Sequence, residues 1–339
     1  MIAQNKNFVH KEVGMKVNYF DLPIIAQDFL SYMDTIKGKS QNTISEYHYD
    51  LRSFFRFLKI HYKLVPADSE FDSITVTDLD ITFIKKISLS DLYAFMSYLS
   101  IDKSNKVASR ARKVAAIKSF FNYLTKKAKV LDINPASELE SPKMGKRIPK
   151  YLNIDESKKL LNAIDGPNKE RDFAIITLFL NCGLRLSELI SLNVTQISSD
   201  KMTVIGKGNK ERTVYLNLAC KNALNEYMRV RPKDNLKDKN ALFLSERKQR
   251  ISSRTVQIIV KKYLSLAGLD TNKYSPHKLR HTAATLMYQY GNADIRSLQE
   301  ILGHESVATT EIYTHINNEQ LQKAIDSNPL ANFEKDQEE

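Results

Sequence analysis

Several features that would assign this chain to a membrane, an oxidising compartment or a nucleotide are missing. Only two cysteines occur, Cys182 and Cys220. Lying in different predicted elements, they make no disulfide framework, and a reducing cytosol suits them. Cys182 follows the apolar run 173–180 and reads as a small buried residue rather than a nucleophile. No apolar stretch approaches the roughly 18 residues that a spanning helix needs. The opening MIAQNKNFVHKEVG lacks the apolar centre of a secretion signal. Membrane and export are therefore poor readings, and a cytoplasmic protein is expected. The stretch GKGNK (206–210) lacks the GxxxxGK[ST] spacing of a phosphate-cradling loop and has strand-like runs on both sides. His277 and His281 stand four apart, as zinc ligands on one helical face can. Yet no glutamate follows the first, no cysteine is near, and Arg280 lies between them. Neither a metal nor another cofactor is expected.

Positive charge, by contrast, is abundant. Lys and Arg number 51 against 39 Asp and Glu, for a net charge of +12. Such a surplus favours a polyanionic partner, and with membranes set aside that partner is nucleic acid.

Along the chain, residues 1–17 read as a polar leader. Residues 18–133 carry apolar residues at three- and four-residue spacing, the signature of an all-helical bundle. Thr43 and Glu46 suggest a capping box ahead of a helix whose core side is Tyr47, Leu51, Phe54, Phe55 and Leu58. Residues 63–86 look like a loop with a short connecting helix, and Ser90–Asp91 open another helix through Tyr98. The last helix of the bundle bears Arg110, Arg112, Lys113 and Lys118, which either meet phosphates or form a solvated face; the total charge favours DNA. Residues 134–150, NPASELESPKMGKRIPK, have three prolines and a basic cluster, as a linker would.

A second domain, 151–325, combines helices with a little β structure. A buried helix breaks at Gly183, leaving Arg185 beside the core, where it needs either an ion pair with Glu188 or an anion. Runs of β-branched residues on both sides of GKGN spell a hairpin, with Lys207 and Lys210 at its turn. ALFLS (241–245) suggests a short strand between helices at 217–231 and 252–269. Residues 326–339 are an acidic tail, and the short helix before it suggests a subunit contact or a self-covering element.

The segment 275–315 stands out, because four of the seven histidines (His277, His281, His304 and His315) fall within it. Ser275 and Pro276 predict a capped helix start. Gly291 predicts its left-handed stop. A second helix is expected from about Asn292 to Leu302, and a third from about Ser306 carrying Tyr313.

Taken together, Arg185, Lys207, His277, Arg280, His304 and Tyr313 form a set suited to phosphoryl transfer. Two arginines can grip the non-bridging oxygens of one phosphate and offset charge on a pentacovalent phosphorus. Tyrosine is then a suitable nucleophile, lysine a proton donor to the departing oxygen, and histidine a proton acceptor.

GLRLSEL (183–189), GKGNKER (206–212), HKLRHTAAT (277–285) and LGHESVATTEIYTH (302–315) closely resemble, in order and spacing, the tyrosine recombinases, also called the phage integrase family, and especially their bacterial Xer group. The likeness is specific over about 150–325 and looser over 18–130. It implies a mainly α protein, with an all-helical SAM-like core-binding domain and an α+β catalytic domain containing a small hairpin. It assigns Arg185, Lys207, His277, Arg280 and His304 to catalysis and Tyr313 to nucleophilic attack. Lys210 is left to contact DNA. It further implies a duplex with a dif-like or inverted-repeat core site and a C-shaped clamp around it. On DNA it implies a homotetramer, or a heterotetramer with a paralogue, exchanging strands through a Holliday junction, and a DNA translocase as partner. The rival readings are a mobile-element integrase, a type IB topoisomerase and an inactive DNA-binding relative. The short leader leaves no room for the arm-binding domain many integrases carry, and none of the six residues is lost.

Overall fold

Aromatic side chains at helical spacing build the N-terminal part of the chain. The computed structural model describes residues 19–101, 103, 105–143, 150–206, 210–291, 293–304 and 306–310. The chain divides into two units, residues 1–146 and 147–339. The first contains α1 (Ile24–Thr35), α2 (Gln41–His61), α3 (Ile81–Ile84), α4 (Leu89–Ile101) and α5 (Val107–Lys126). Phe29, Phe54, Phe55, Phe95, Phe120 and Phe121 are fully buried at its centre. Several of these rings meet edge to face, as Phe55 and Phe120 do at 5.8 Å and 87°. Each such burial contributes about 1.5–3 kcal/mol.

The start of α2 differs from the expected capping box. Ser40 is the cap, its hydroxyl accepting from the Thr43 N–H at 3.3 Å, so the helix begins at Gln41. Glu46 instead pairs with Arg112. Residues 63–86 do contain a short helix, α3, within the expected loop, and the segment is packed down. Ile74, Val76, Leu79, Ile84 and Ile87 are buried in the aromatic core, and Lys59 ties the segment down through Asp78 at 2.8 Å and the Thr75 carbonyl at 3.0 Å. Part of the expected linker also folds here, because Ala136 and Leu139 are fully buried in the same core. The leader 1–17, the basic cluster at 144–149 and the tail 326–339 lie outside the described residues.

The second unit contains α6 (Ile154–Asn162), α7 (Lys169–Cys182), α8 (Leu186–Ser191), β1 (Lys201–Ile205), β2 (Glu211–Tyr215), α9 (Leu218–Val230), α10 (Ser253–Leu266), α11 (Pro276–Tyr290) and α12 (Ile295–Leu302). Its core surrounds α7, buried on every side from Ala174 to Leu180 because α9 and α11 pack against it. Among the described residues the one sheet is the antiparallel hairpin of β1 and β2, with Lys201 opposite Tyr215 and Ile205 opposite Glu211. The protein is thus mainly helical with a two-stranded sheet.

ALFLS is not a strand. Ala241 and Leu244 make only isolated bridges. The Arg231 guanidinium takes the carbonyls of Ala241 (2.6 Å) and Leu242 (3.0 Å), and the Tyr227 hydroxyl serves Leu242 and Leu244, so side chains replace a neighbouring strand. At α11, Ser275 is the extended cap residue and Pro276 the first helical one, but the Ser275 hydroxyl makes no capping bond. Gly291 ends the helix at φ −96°, not in the left-handed region. The next helix starts at Ile295 rather than near Asn292, because the Asp294 carboxylate caps the N–H groups of Arg296 and Ser297.

Candidate active site

The site grows from two left-handed glycines. Gly183 closes α7 at φ 59°, and Gly303 closes α12 at φ 63°. At Gly183 a Cβ would lie 2.8 Å from the Leu302 side chain, so a bare backbone lets the two helix ends meet. Beyond Gly183 the chain turns into α8, placing Arg185 at its N-terminus and Glu188 in its first turn.

Glu188 is the anchor of the site. It is fully buried. Its carboxylate accepts from the Arg185 backbone N–H (2.7 Å) and from Arg185 Nη1 (2.7 Å). It also accepts from Arg212 through both Nη1 and, at 3.0 Å, Nη2, and it pairs with Arg280 at 3.7 Å. Burial alone would raise this carboxyl. The hydrogen bonds and charge of Arg212, helped by Arg185, more than offset it and hold the group below the usual carboxylate range.

Arg280, on α11, is buried and donates to the carbonyls of Gly183 and Leu302, each at 2.7 Å. Arg185 Nη2 donates to the Gly303 carbonyl at 2.6 Å. Directly after that turn comes His304, its Nδ1 3.0 Å from the Thr310 hydroxyl. Burial, then the charges of Arg280, Arg185 and Arg212, push His304 down to about 4. His277 is lowered by burial and by Lys278, Arg280 and Arg185. Its Nε2 lies 3.0 Å from Nε2 of His281, and burial and His277 push His281 down to about 3. All three imidazoles are therefore neutral near pH 7 and able to donate or accept one proton.

Two openings reach this cluster. A groove of about 740 Å³ is lined by Arg185, Lys210, Arg212, Arg296 and His304. Another, of about 470 Å³, is lined by Arg185, Lys261, His277 and Arg280. Four of the six residues read as catalytic thus converge: Arg185, His277, Arg280 and His304. Lys207 and Tyr313 lie outside the described residues, as does His315. The hairpin that carries Lys207 is closed by the Gly206 N–H donating to the Lys210 carbonyl at 2.7 Å. Among the described residues no three His, Cys, Asp or Glu side chains group as metal ligands.

The basic residues of α5 sit in the first unit and make internal bonds. Arg112 (2.7 Å) and Lys113 (2.9 Å) grip the buried Asp50 of α2. Lys118 donates to the carbonyls of Ser137 and Leu139, and Arg110 to the Ser100 hydroxyl. These cations join α5 to its neighbours, so contact with phosphate would compete with bonds already made.

Sequence reasoning missed Arg212 and gave Glu188 only as an ion-pair partner for Arg185. One signal was available. In the hairpin Arg212 lies opposite Val204 and two residues before the inward Val214, so it shares their buried side.

A buried carboxylate holding three arginines, with three histidines alongside, is a cationic cluster of the kind that suits an anion such as phosphate. Residues 150–320 match the phage integrase family, and residues 26–128 match the N-terminal SAM-like domain of phage integrases. The chain belongs to this family, the tyrosine recombinases, and is an Xer-type site-specific recombinase. It is 58% identical over 309 residues to the tyrosine recombinase XerC of Caldanaerobacter subterraneus subsp. tengcongensis, covering 91% of this chain and 88% of the relative. To the XerD of Proteus mirabilis it is 34% identical, covering 90% and 92%. Its fold is also that of XerH bound to a palindromic difH substrate in a post-cleavage complex (TM-score 0.66, 22% identity, 91% and 94% covered). A lambda integrase (75–356) dimer bound to a COC′ core site is similar too (TM-score 0.60, 17% identity, 84% and 96% covered).

Proposed function

We propose that the protein cuts and rejoins duplex DNA with Tyr313 as nucleophile. The tyrosine oxygen attacks the scissile phosphorus, a bond from phosphorus to that oxygen forms, and the bond to the 5′ oxygen breaks. The strand is left as a 3′-phosphotyrosyl ester. Attack by the 5′ hydroxyl of a partner strand reverses the step and joins the exchanged ends. Arg185 and Arg280 bind the non-bridging oxygens and stabilise the charge that develops on them. His277 or His304 accepts the tyrosine proton, and Lys207 delivers one to the departing oxygen. The cationic side chains supply the electrostatic stabilisation, and the reaction needs no cofactor.

What carries this reading is the convergence of Arg185, Arg280 and His304 around Glu188, with His277 lining the same groove as the two arginines, from three separate stretches of sequence. The substrate is a duplex with an inverted-repeat, dif-like core. On it four subunits act, either identical or paired with a paralogue, and exchange strands through a Holliday junction in the cytoplasm. The identity to XerC supports dimer resolution of chromosomes or plasmids, in which a DNA translocase is the expected partner.

A nicked duplex carrying a dif-like core tests the chemistry, because loss of the short strand traps the covalent adduct. Wild type incubated in EDTA is expected to form a protein–DNA band that Tyr313→Phe does not form. An adduct with Tyr313→Phe would remove Tyr313 from its role.

A further inference from the structure

Three consecutive carbonyls at the end of α12 are each taken by a different arginine. Arg212 Nε donates to Ile301 at 3.2 Å, Arg280 to Leu302 at 2.7 Å and Arg185 to Gly303 at 2.6 Å. A helix C-terminus leaves its last carbonyls unpaired and carries partial negative charge, so guanidiniums suit it well. The same three arginines converge on Glu188. Arg212 differs from the other two in origin and in how it binds. It comes from β2, the strand that leaves the lysine hairpin, and its fork engages both carboxylate oxygens of Glu188. It is also boxed in, since a Cβ on Gly303 would stand 3.0 Å from Arg212 Cδ.

We propose that Arg212 is a positioning residue of the recombinase site. It holds the charge of Glu188 and locks the Leu302–His304 turn to the hairpin strand. Because the Arg212 fork takes both oxygens of Glu188, the carboxylate it shares with Arg185 and Arg280 offsets less of the charge those two hold towards a phosphate. Without Arg212, one buried carboxylate would draw the other two arginines inward, and the turn that aims His304 would lose its tie to β2. This inference rests on reading the cluster as the phosphate site.

The test uses the full chain with Arg212→Met, which keeps length without charge, and Arg212→Lys, which keeps charge without the fork. The first readout is an NMR titration of the histidines without DNA. The groups facing His304 are Arg280, Arg185, Arg212 and Glu188, whereas those facing His281 are His277, Lys278, Arg280 and His304. Arg212→Met should raise His304 while His281 stays low, which a general loss of structure would not do. Arg212→Lys should leave His304 near the wild-type value. The second readout is single-turnover adduct formation on the nicked duplex at saturating protein. Both variants should lose about 100-fold in rate, as misplaced catalytic groups do, with duplex affinity nearly unchanged. The idea is overturned if Arg212→Met leaves both His304 and the rate as in wild type, or if Arg212→Lys restores the full rate. Should Arg212→Met fail to fold, the rate of Arg212→Lys decides. If wild type forms no adduct on any duplex, the recombination chemistry fails, and the His304 titration alone still judges Arg212.

Discussion

At the scale of single residues, Glu188 balances a cluster that would otherwise repel itself. Arg185, Arg212 and Arg280 surround its buried carboxylate, and removing the one anion leaves three neighbouring cations with no carboxylate between them. Breaking a buried ion pair costs about 3–5 kcal/mol. Glu188→Gln should lose about that much in denaturant unfolding and also fail in adduct formation. A loss below about 1 kcal/mol would mean that the guanidiniums relax into the grooves without cost. The histidines give a pH signature. His304 falls from an ordinary 6.5 to about 4 in the folded protein, so between those values the unfolded chain binds more protons. Stability therefore rises with pH through that window and is lost as pH falls from about 6.5 towards 4. His304→Gln should flatten the slope by about 1–2 kcal/mol across the window, read as the shift in unfolding midpoint against pH. In the sequence His277, Arg280 and His304 stood out because four of the seven histidines crowd into 275–315, and Arg185 because it directly follows a buried helix, where an arginine is costly to desolvate. Arg212 was less visible, because its role arises only where a strand and a helix end meet.

At the scale of elements, the site depends on how α7 and α12 stop. Both end in a left-handed glycine, and at Gly183 the backbone must also clear the Leu302 side chain. Gly183→Ala should cost about 1–2 kcal/mol for the left-handed conformation alone. It should also push α12 away and lower the single-turnover adduct rate. A stable variant with wild-type rate would show that α12 does not set the geometry of His304. The helices themselves were legible from apolar periodicity, and the hairpin from β-branched runs around GKGN. Their ends were harder to read, since competing caps lie within a few residues of each other. Ser40 takes the Thr43 N–H before Thr43 can act as a cap. Asp294 caps α12 two residues after the expected start. ALFLS has strand composition, yet Tyr227 of α9 and Arg231 just past its end reach its backbone, an event that no local pattern reveals.

At the scale of the whole molecule, each unit owns a core: one of phenylalanines around α2 and α5, the other of aliphatic residues around α7. Residues 1–146 and 147–339 expressed separately should each unfold cooperatively. The chain as a whole carries +12, and in the recombinase reading that charge meets a polyanion that sheds counterions on binding. Two linked units on one duplex gain from effective concentration without any new contact. The full chain should therefore bind a core-site duplex about 10²–10⁴ times more tightly than the better of the two units at equal salt. If six to ten phosphates are engaged, its affinity should fall about 10³–10⁵-fold between roughly 50 and 200 mM salt. Fluorescence anisotropy of a labelled duplex, titrated with the full chain and with each unit across that range, measures both quantities. Equal affinity for the full chain and the second unit would mean that the helical unit does not contact DNA. Its cations on α5 would then serve only the bonds they already make to Asp50 and the neighbouring backbone.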